Sequence, residues 1–308
     1  MFAAFLTTVF FSLSAILAAR SIRAVGVTAA NLGRLLVAFI VLGAYAHTLG
    51  GGWSGSGRGW FLLSGVIGMG LGDLALFAAL SRLGSRLSVL MTQCLAVPIA
   101  MVVEWSWLET RLAGPEVLWA MVVLGGVAIA ITPSRKDPPK VPLRWTGFVF
   151  GLLSAAGQAL GAVVSRRAYV ASAQAGETID GITAAYQRIS GGLLITLTVF
   201  GVLLLLRQRR VASTPGPGSS APPTQRWPWR GIGLVAANAM AGPVIGVSCY
   251  QWALASTPSG LVLPIVATTP LVIIPLSYWI EGDHPTRRSL VGGAVAVAGV
   301  VALALVRE

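Results

Sequence analysis

Hydrophobic positions run through this chain in long blocks, with polar positions confined to short breaks between them. There is neither the alternation of a half-buried strand nor the one-sided stripe of a soluble amphipathic helix. The blocks predict ten helical segments, at 2–19, 25–46, 60–81, 87–108, 115–132, 146–165, 182–206, 231–255, 258–280 and 289–306. Each is close to the length of about 20 apolar residues that a helix needs to cross a bilayer. The stretch 231–280 is the most telling, because its fifty residues include no Asp, Glu, Lys, Arg or His. One helix cannot use that length within a hydrocarbon core of about 30 Å. The STPSG pentapeptide at 256–260 divides it, since Pro and Gly punctuate helices.

Two breaks differ from the rest. TPSRKDPPKVPLRW at 132–145 is basic and Pro-rich and divides the chain nearly in half. RQRRVASTPGPGSSAPPTQRWPWR at 207–230 is rich in Pro, Gly and Ser and reads as a flexible loop. The expected organisation is a first five-helix repeat at 1–133, a linker at 134–145 and a second five-helix repeat at 146–308. The halves match in detail. Pro98 precedes Glu109 by 11 residues, and Pro270 precedes Glu281 by the same 11. Arg34 and Arg188 enter the second and seventh spans at corresponding places, and Ser-Arg clusters (Arg20 with Ser21, Ser165 with Arg166 and Arg167) close the first and sixth. The fifth span carries Gly125 and Gly126, the tenth Gly292, Gly293 and Gly299. With an odd number of spans per half, the halves insert in opposite directions. The fold class is therefore all-α integral membrane, ten transmembrane helices as two inverted repeats, an architecture recurrent in secondary transporters.

Composition agrees. The chain has 308 residues, 55% hydrophobic and 10% charged, against about 25% charged in a soluble domain. The net charge of +12 does not point to nucleic acid, because the basic residues sit in the breaks without an aromatic-rich basic face. Of 22 Lys and Arg, Arg34 and Arg188 lie inside spans and Arg58, Arg111, Arg166, Arg167 and Arg307 fall on one side; the other fifteen fall opposite. The positive-inside rule puts the fifteen in the cytoplasm and both termini outside. Arg20, the first basic residue, follows the first apolar run, the reverse of a cleaved signal peptide, so that run reads as a permanent span. Cys94 and Cys249 lie in apolar runs and His47 and His284 are isolated, so neither a metal nor a cofactor is expected.

The stretch ALASTPSGLVLPIVATTPLVIIPLSYWIEGDHPTRRSLVGGAVAVAGVV at 253–301 combines a Thr-Pro-Ser turn, a proline within span nine, an acid ending that span and a Gly-containing tenth span. It resembles the EamA-like family of the drug/metabolite transporter superfamily. ALSRLGSRLSVLMTQCLAVPIAMVVEWSWLE at 79–109 repeats the pattern with the turn proline missing and two residues gapped. The resemblance implies a ten-helix carrier of small metabolites, commonly an exporter of amino acids or related compounds, in the bacterial cytoplasmic membrane. The same superfamily suggests a lipid-linked sugar flippase as the alternative.

Ionisable residues inside a span are costly and mark pathways or paired charges. Asp73, 13 residues into the third span, is about 20 Å from its start and leads the candidates for substrate-amine or proton binding. The alternative role is an ion pair with Arg34 or Arg188. Those two arginines can in turn attract an anionic group such as a carboxylate, or snorkel. Asn31, Gln93, Gln158, Asn238, Ser248, Tyr250 and Gln251 can hydrogen-bond a solute or a neighbouring helix, and Trp252 and Tyr186 can supply aromatic walls. Pro98, Pro264, Pro270 and Pro275 are candidate kinks, with span nine expected to bend. Close helix approach is expected at the GxxxG pairs Gly68/Gly72, Gly147/Gly151, Gly157/Gly161 and Gly242/Gly246. Expected partners are a small solute, membrane lipids and protons as a coupling ion, with a monomer sufficient. The GGWSG string at 51–55 resembles the nucleophile motif of rhomboid proteases, but His47 and His284 are not in span cores to serve as its base, so no catalytic residue is expected.

Overall fold

A computed structural model of the chain describes residues 1–131, 144–212, 229–269, 271–273, 276 and 287–306. The regular structure among them is helical throughout. Helix α1 (Phe2–Val25) and α2 (Val27–Thr48) meet at Gly26, whose φ of 85° is a left-handed backbone that glycine adopts without a Cβ clash. Helix α3 (Arg58–Gly65) runs through a π-helical segment, Val66–Gly72, into α4 (Asp73–Leu108). Next come α5 (Gly114–Ile131), α6 (Trp145–Gln174) and α7 (Gly181–Ala212). Helix α8 (Trp229–Ala239) likewise runs through a π-helical segment, Met240–Gly246, into α9 (Val247–Ser256). The described chain closes with α10 (Ser259–Val266) and α11 (Arg287–Leu305).

Among the described residues seven stretches are long and apolar enough to cross a membrane, and three shorter apolar helices cover Gly114–Ala130, Ser259–Ile273 and Leu290–Leu303. Hydrophobic side chains such as Phe2, Ile40, Leu118, Leu205 and Val301 point outward, more than half exposed. An apolar exterior of this kind suits lipid, not water.

The structure corrects the expected break between spans three and four. Helical hydrogen bonding continues through α4 where 82–86 was expected to be a connection. The chain still reverses there, as its neighbours on α6 show. Gly72 meets Gly157, Gly68 meets Gly161 and Ser64 Oγ donates to Gly161 O, so this stretch runs antiparallel to α6. Leu83 meets Gly147, Met91 meets Gly151, and Glu104 meets Arg166, so the later stretch runs parallel to it. The two stretches thus run in opposite senses along α6, and the change between Leu83 and Met91 falls at the connection expected at 82–86.

The first and sixth spans also extend further than expected, to Val25 and Gln174. Arg20 and Arg166 therefore sit inside helices and do not cap them. Span nine, expected to bend, is interrupted: α10 ends at Val266 and a turn follows at Ala267 and Thr268. The carbonyls nearby find side-chain donors, with Thr8 Oγ1 and Thr268 Oγ1 donating to Ile265 O at 3.1 and 2.6 Å and Ser12 Oγ to Thr269 O at 3.0 Å. The interior of the 134–145 linker up to 143, most of the 207–230 loop, and Pro270, Pro275, Glu281 and His284 lie outside the described residues.

Small residues set the spacing. A Cβ on Gly157 would lie 2.7 Å from the Cα of Gly72, so these backbones touch directly. A Cβ on Gly242 would strike Ser14 Oγ of α1, and one on Gly246 would lie 2.7 Å from the Phe11 ring. Both π-helical segments are thus pressed against another span by glycine.

Candidate functional site

The π-helical segments also border a central cavity of about 270 Å³. A π turn inserts an extra residue into the helical ladder and often occurs at functional sites. Gly68, Met69 and Gly72 line the cavity from one segment and Gly242 and Pro243 from the other, with α1, α2, α4, α6, α7, α9 and the end of α10 (Val266) completing the wall. Arg34 is seven residues into α2 and Arg188 seven into α7, and these helices run antiparallel. Seven residues of helix span about 10 Å. The cavity therefore occupies the middle third of the bundle.

Three ionisable side chains face it. Arg34 Nη2 lies 3.0 Å from Asp73 Oδ2, and Arg34 Nε donates to Asn31 Oδ1 at 2.9 Å. This pair is partly open to the cavity, with side-chain exposures of 19% and 25%. Arg188 is different. It is 5% exposed, and its guanidinium lies over the Tyr250 ring, 5.3 Å from the centroid. Among the described residues its Nε and Nη1 have no hydrogen-bond acceptor. The guanidinium reaches the cavity between two glycines: a Cβ on Gly68 would be 2.8 Å from Nη2, and one on Gly161 3.1 Å.

Amides and hydroxyls cross-link the helices around these charges. Gln158 donates to Gln93 at 2.6 Å, Thr92 to Ser154 at 3.1 Å and Ser14 to Asn238 at 2.7 Å. Gln158 faces the cavity, whereas Gln93 and Asn238 stand behind its wall. Gln251 is fully buried and donates to Ser165 Oγ at 3.2 Å, and Ser165 and Ser64 hydroxyls are 2.8 Å apart.

At the end of the bundle where α1 begins, a group that sequence reading missed ties three elements together. Glu104 is 2% exposed and lies near the end of an apolar run, MVVEWSW, where an acid reads as interfacial. Its Oε1 faces Arg166 Nε at 3.4 Å, while its Oε2 accepts from Ser259 Oγ and from Gly260 N at 3.2 Å. Arg166 Nη1 also donates to Leu254 O at 2.7 Å. This cluster joins α4 and α6 to the turn between α9 and α10. At the same end, Gln187 donates to Gly52 O and Ser54 O at 2.9 and 3.1 Å, holding the α2–α3 loop on α7. The Ser56 N–H and hydroxyl both donate to Glu177 and hold that loop carboxyl below the usual carboxylate range.

Of the predicted residues, the structure brings Asp73, Arg34, Arg188, Gln158 and Tyr250 together at the cavity. Trp252, 54% exposed, turns outward with Ser248 into an apolar lateral groove between α2, α7 and α9. Tyr186 packs with Phe39, His47 and Trp53, away from the cavity. Pro98 lies inside α4, and Pro264 is buried in α10. The GGWSG loop shows no nucleophile pairing: Ser54 Oγ donates to Gly51 O, and His47 Nε2 lies 3.2 Å from the Tyr186 hydroxyl. Among the described residues no three His, Cys, Asp or Glu gather as metal ligands.

A bundle of apolar helices enclosing a small charged cavity is the architecture of a multi-pass membrane protein that handles solutes. The model of the EamA-like transporter family matches residues 1–132 and 145–305. The chain belongs to that family, and so is a membrane transporter of the drug/metabolite transporter superfamily. No curated protein matches the chain. Among solved structures, one described only as the crystal structure of a protein is similar over 99% of this chain and 96% of its own, with a TM-score of 0.74 at 16% identity. At that identity the likeness speaks for the fold alone.

Proposed function

We propose that the protein carries a small organic metabolite by alternating access, with the central cavity as its binding site and the charged trio around it as its recognition groups. The observation that carries this is the cavity's size and place. About 270 Å³ in the middle third of the bundle suits a solute of metabolite size, held where carriers of inverted-repeat design bind substrate. A lipid-linked sugar, the alternative cargo, would need a larger apolar site; the lateral groove between α2, α7 and α9, of about 650 Å³, is such a site but holds none of the charged trio. Export from a bacterial cell across its cytoplasmic membrane, of an amino acid or related amphipathic solute, is the favoured direction and class.

The proposed architecture is ten spans in two inverted five-helix repeats, 1–133 and 146–308, joined by the linker. Three observations support it. The family match falls into two parts on either side of the linker. A π-helical segment interrupts both the third and the eighth expected spans. Each of those segments packs by glycine on the first span of the other half, Gly72 on Gly157 and Gly242 on Ser14. Such an exchange gives two units that can rock about a shared site. The Glu104–Arg166 cluster closes one end of the pathway, and opening that end requires it to part. Proton coupling through Asp73 fits its place beside Arg34: protonation removes the charge that holds the pair.

A thermal-shift screen of purified protein against amino acids, nucleosides, sugars and lipid-linked sugars tests the reading. Stabilisation by a water-soluble metabolite, changed when the charged residues of the cavity wall are replaced, is expected. Stabilisation by polyprenyl-linked compounds alone would overturn the metabolite reading in favour of the flippase.

A further inference from the structure

Resting on the carrier reading, we infer that the group this cavity receives is an anion, a carboxylate on the transported solute, and that Arg188 receives it. The charges facing the cavity do not balance. Arg34 and Asp73 neutralise each other at 3.0 Å, and among the described residues no carboxylate is in contact with the Arg188 guanidinium. A guanidinium stays protonated in proteins and offers five N–H donors. On Arg188, Nε and Nη1 have no acceptor among the described residues although the residue is 5% exposed. Leaving a buried charge unpaired is costly, and binding an anion removes that cost.

The surroundings are shaped for such a ligand. Gly68 and Gly161 leave the guanidinium a passage that a Cβ at either position would crowd. The Tyr250 ring supports the cation from one face. Gln158, Thr92 and Ser154 supply polar groups on the wall for the rest of a small solute. The arrangement also distinguishes the two arginines, which look equivalent in sequence. Arg34 is engaged by Asp73 and Asn31, so an incoming carboxylate at Arg34 would have to displace a carboxylate already there. By the same reasoning Asp73 in this state is not the receptor for a substrate amine.

The test compares three matched series at neutral pH: linear carboxylates from formate to hexanoate, the corresponding primary amides, and the corresponding amines. Thermal stability of the full chain in detergent is measured up to about 50 mM of each. Carboxylates are expected to stabilise the protein, with an apparent affinity at least about tenfold weaker in Arg188→Gln, as befits a lost charge-assisted hydrogen bond. Arg188→Lys, which keeps the charge, should retain part of the effect. Gly68→Ala, which crowds Nη2 and removes no charge, should weaken it. Should Arg188→Gln fail to fold, Arg188→Lys and Gly68→Ala carry the comparison. If amines or amides stabilise as well as carboxylates, or if the carboxylate effect is absent or the same in the Arg188 and Gly68 variants, the inference is overturned. A metabolite found by the wider screen that lacks an acidic group would overturn it too, while leaving the carrier reading in place.

Discussion

Asp73 and Arg34 share a cavity wall because a carboxylate and a guanidinium deep in apolar helices each need a partner. The ion pair is partly exposed to the cavity, so the roughly 3–5 kcal/mol for breaking a fully buried pair must be discounted to about 2 kcal/mol. Asp73→Asn should lower stability by that amount, and adding Arg34→Gln should restore part of it. Thermal denaturation of the three variants checks this; additive losses would show that the two residues are not coupled. Sequence alone singled out all three charged residues, since each interrupts an apolar run. It did not tell which arginine Asp73 would meet, because spans two, three and seven come together only in the folded bundle. Glu104 escaped notice for a different reason. Four residues from the end of α4, an acid looks interfacial, and only the approach of the α9–α10 turn buries it. Helical geometry likewise separates Gln251, fully buried, from its neighbour Trp252, more than half exposed. A step of about 100° per residue turns them to different sides.

Glycine contacts decide how the elements sit. Gly157→Val would drive a branched side chain into the Gly72 backbone, where the first added atom already lies 2.7 Å from the Cα. Overpacking of this kind costs about 1–3 kcal/mol, and backbone that cannot move aside puts the loss at the upper end. A melting comparison with Gly233→Val, where no atom lies within 4 Å of the added Cβ, measures the difference. Comparable losses at both positions would contradict the packing account. The Glu104 cluster predicts a second effect at this scale. In a protein with Cys94 and Cys249 replaced by alanine and cysteine placed at Ser165, Glu104→Gln should speed reaction with a membrane-impermeant thiol reagent. An unchanged rate would mean that the cluster does not hold that end closed. In the loops at the same end, Glu177 has a lowered pKa through Ser56. Its hold on the α2–α3 loop is therefore present at neutral pH and is lost as pH falls through that lowered value. Loop proteolysis should rise only below the ordinary carboxylate range, and Glu177→Gln should abolish that pH dependence. The ten apolar blocks were legible because lipid demands about 20 apolar residues per helix. The reversal inside α4 falls at the connection expected at 82–86, but helical hydrogen bonding runs on through it, which the sequence did not show.

For the molecule as a whole, composition and block length were enough to read a membrane-spanning helical bundle, and the EamA-like pattern at 253–301 named the family that the full-length match establishes. The cavity was not legible, because it arises where seven helices and two π-helical segments converge. The uneven distribution of Lys and Arg predicts cytoplasmic loops at 132–145 and 207–230 with both termini outside, which protease protection of tagged termini checks. The central claim, that one cavity in the middle of the bundle is reached from each side of the membrane in turn, is tested most directly at Ala15, which lines that cavity. With Cys94 and Cys249 replaced by alanine and a single cysteine at position 15, a membrane-impermeant maleimide is applied to right-side-out and to inverted vesicles. The account predicts reaction from both faces, slowed from both by the same stabilising metabolite. Reaction from one face only, indifferent to any solute that stabilises the protein, would contradict it.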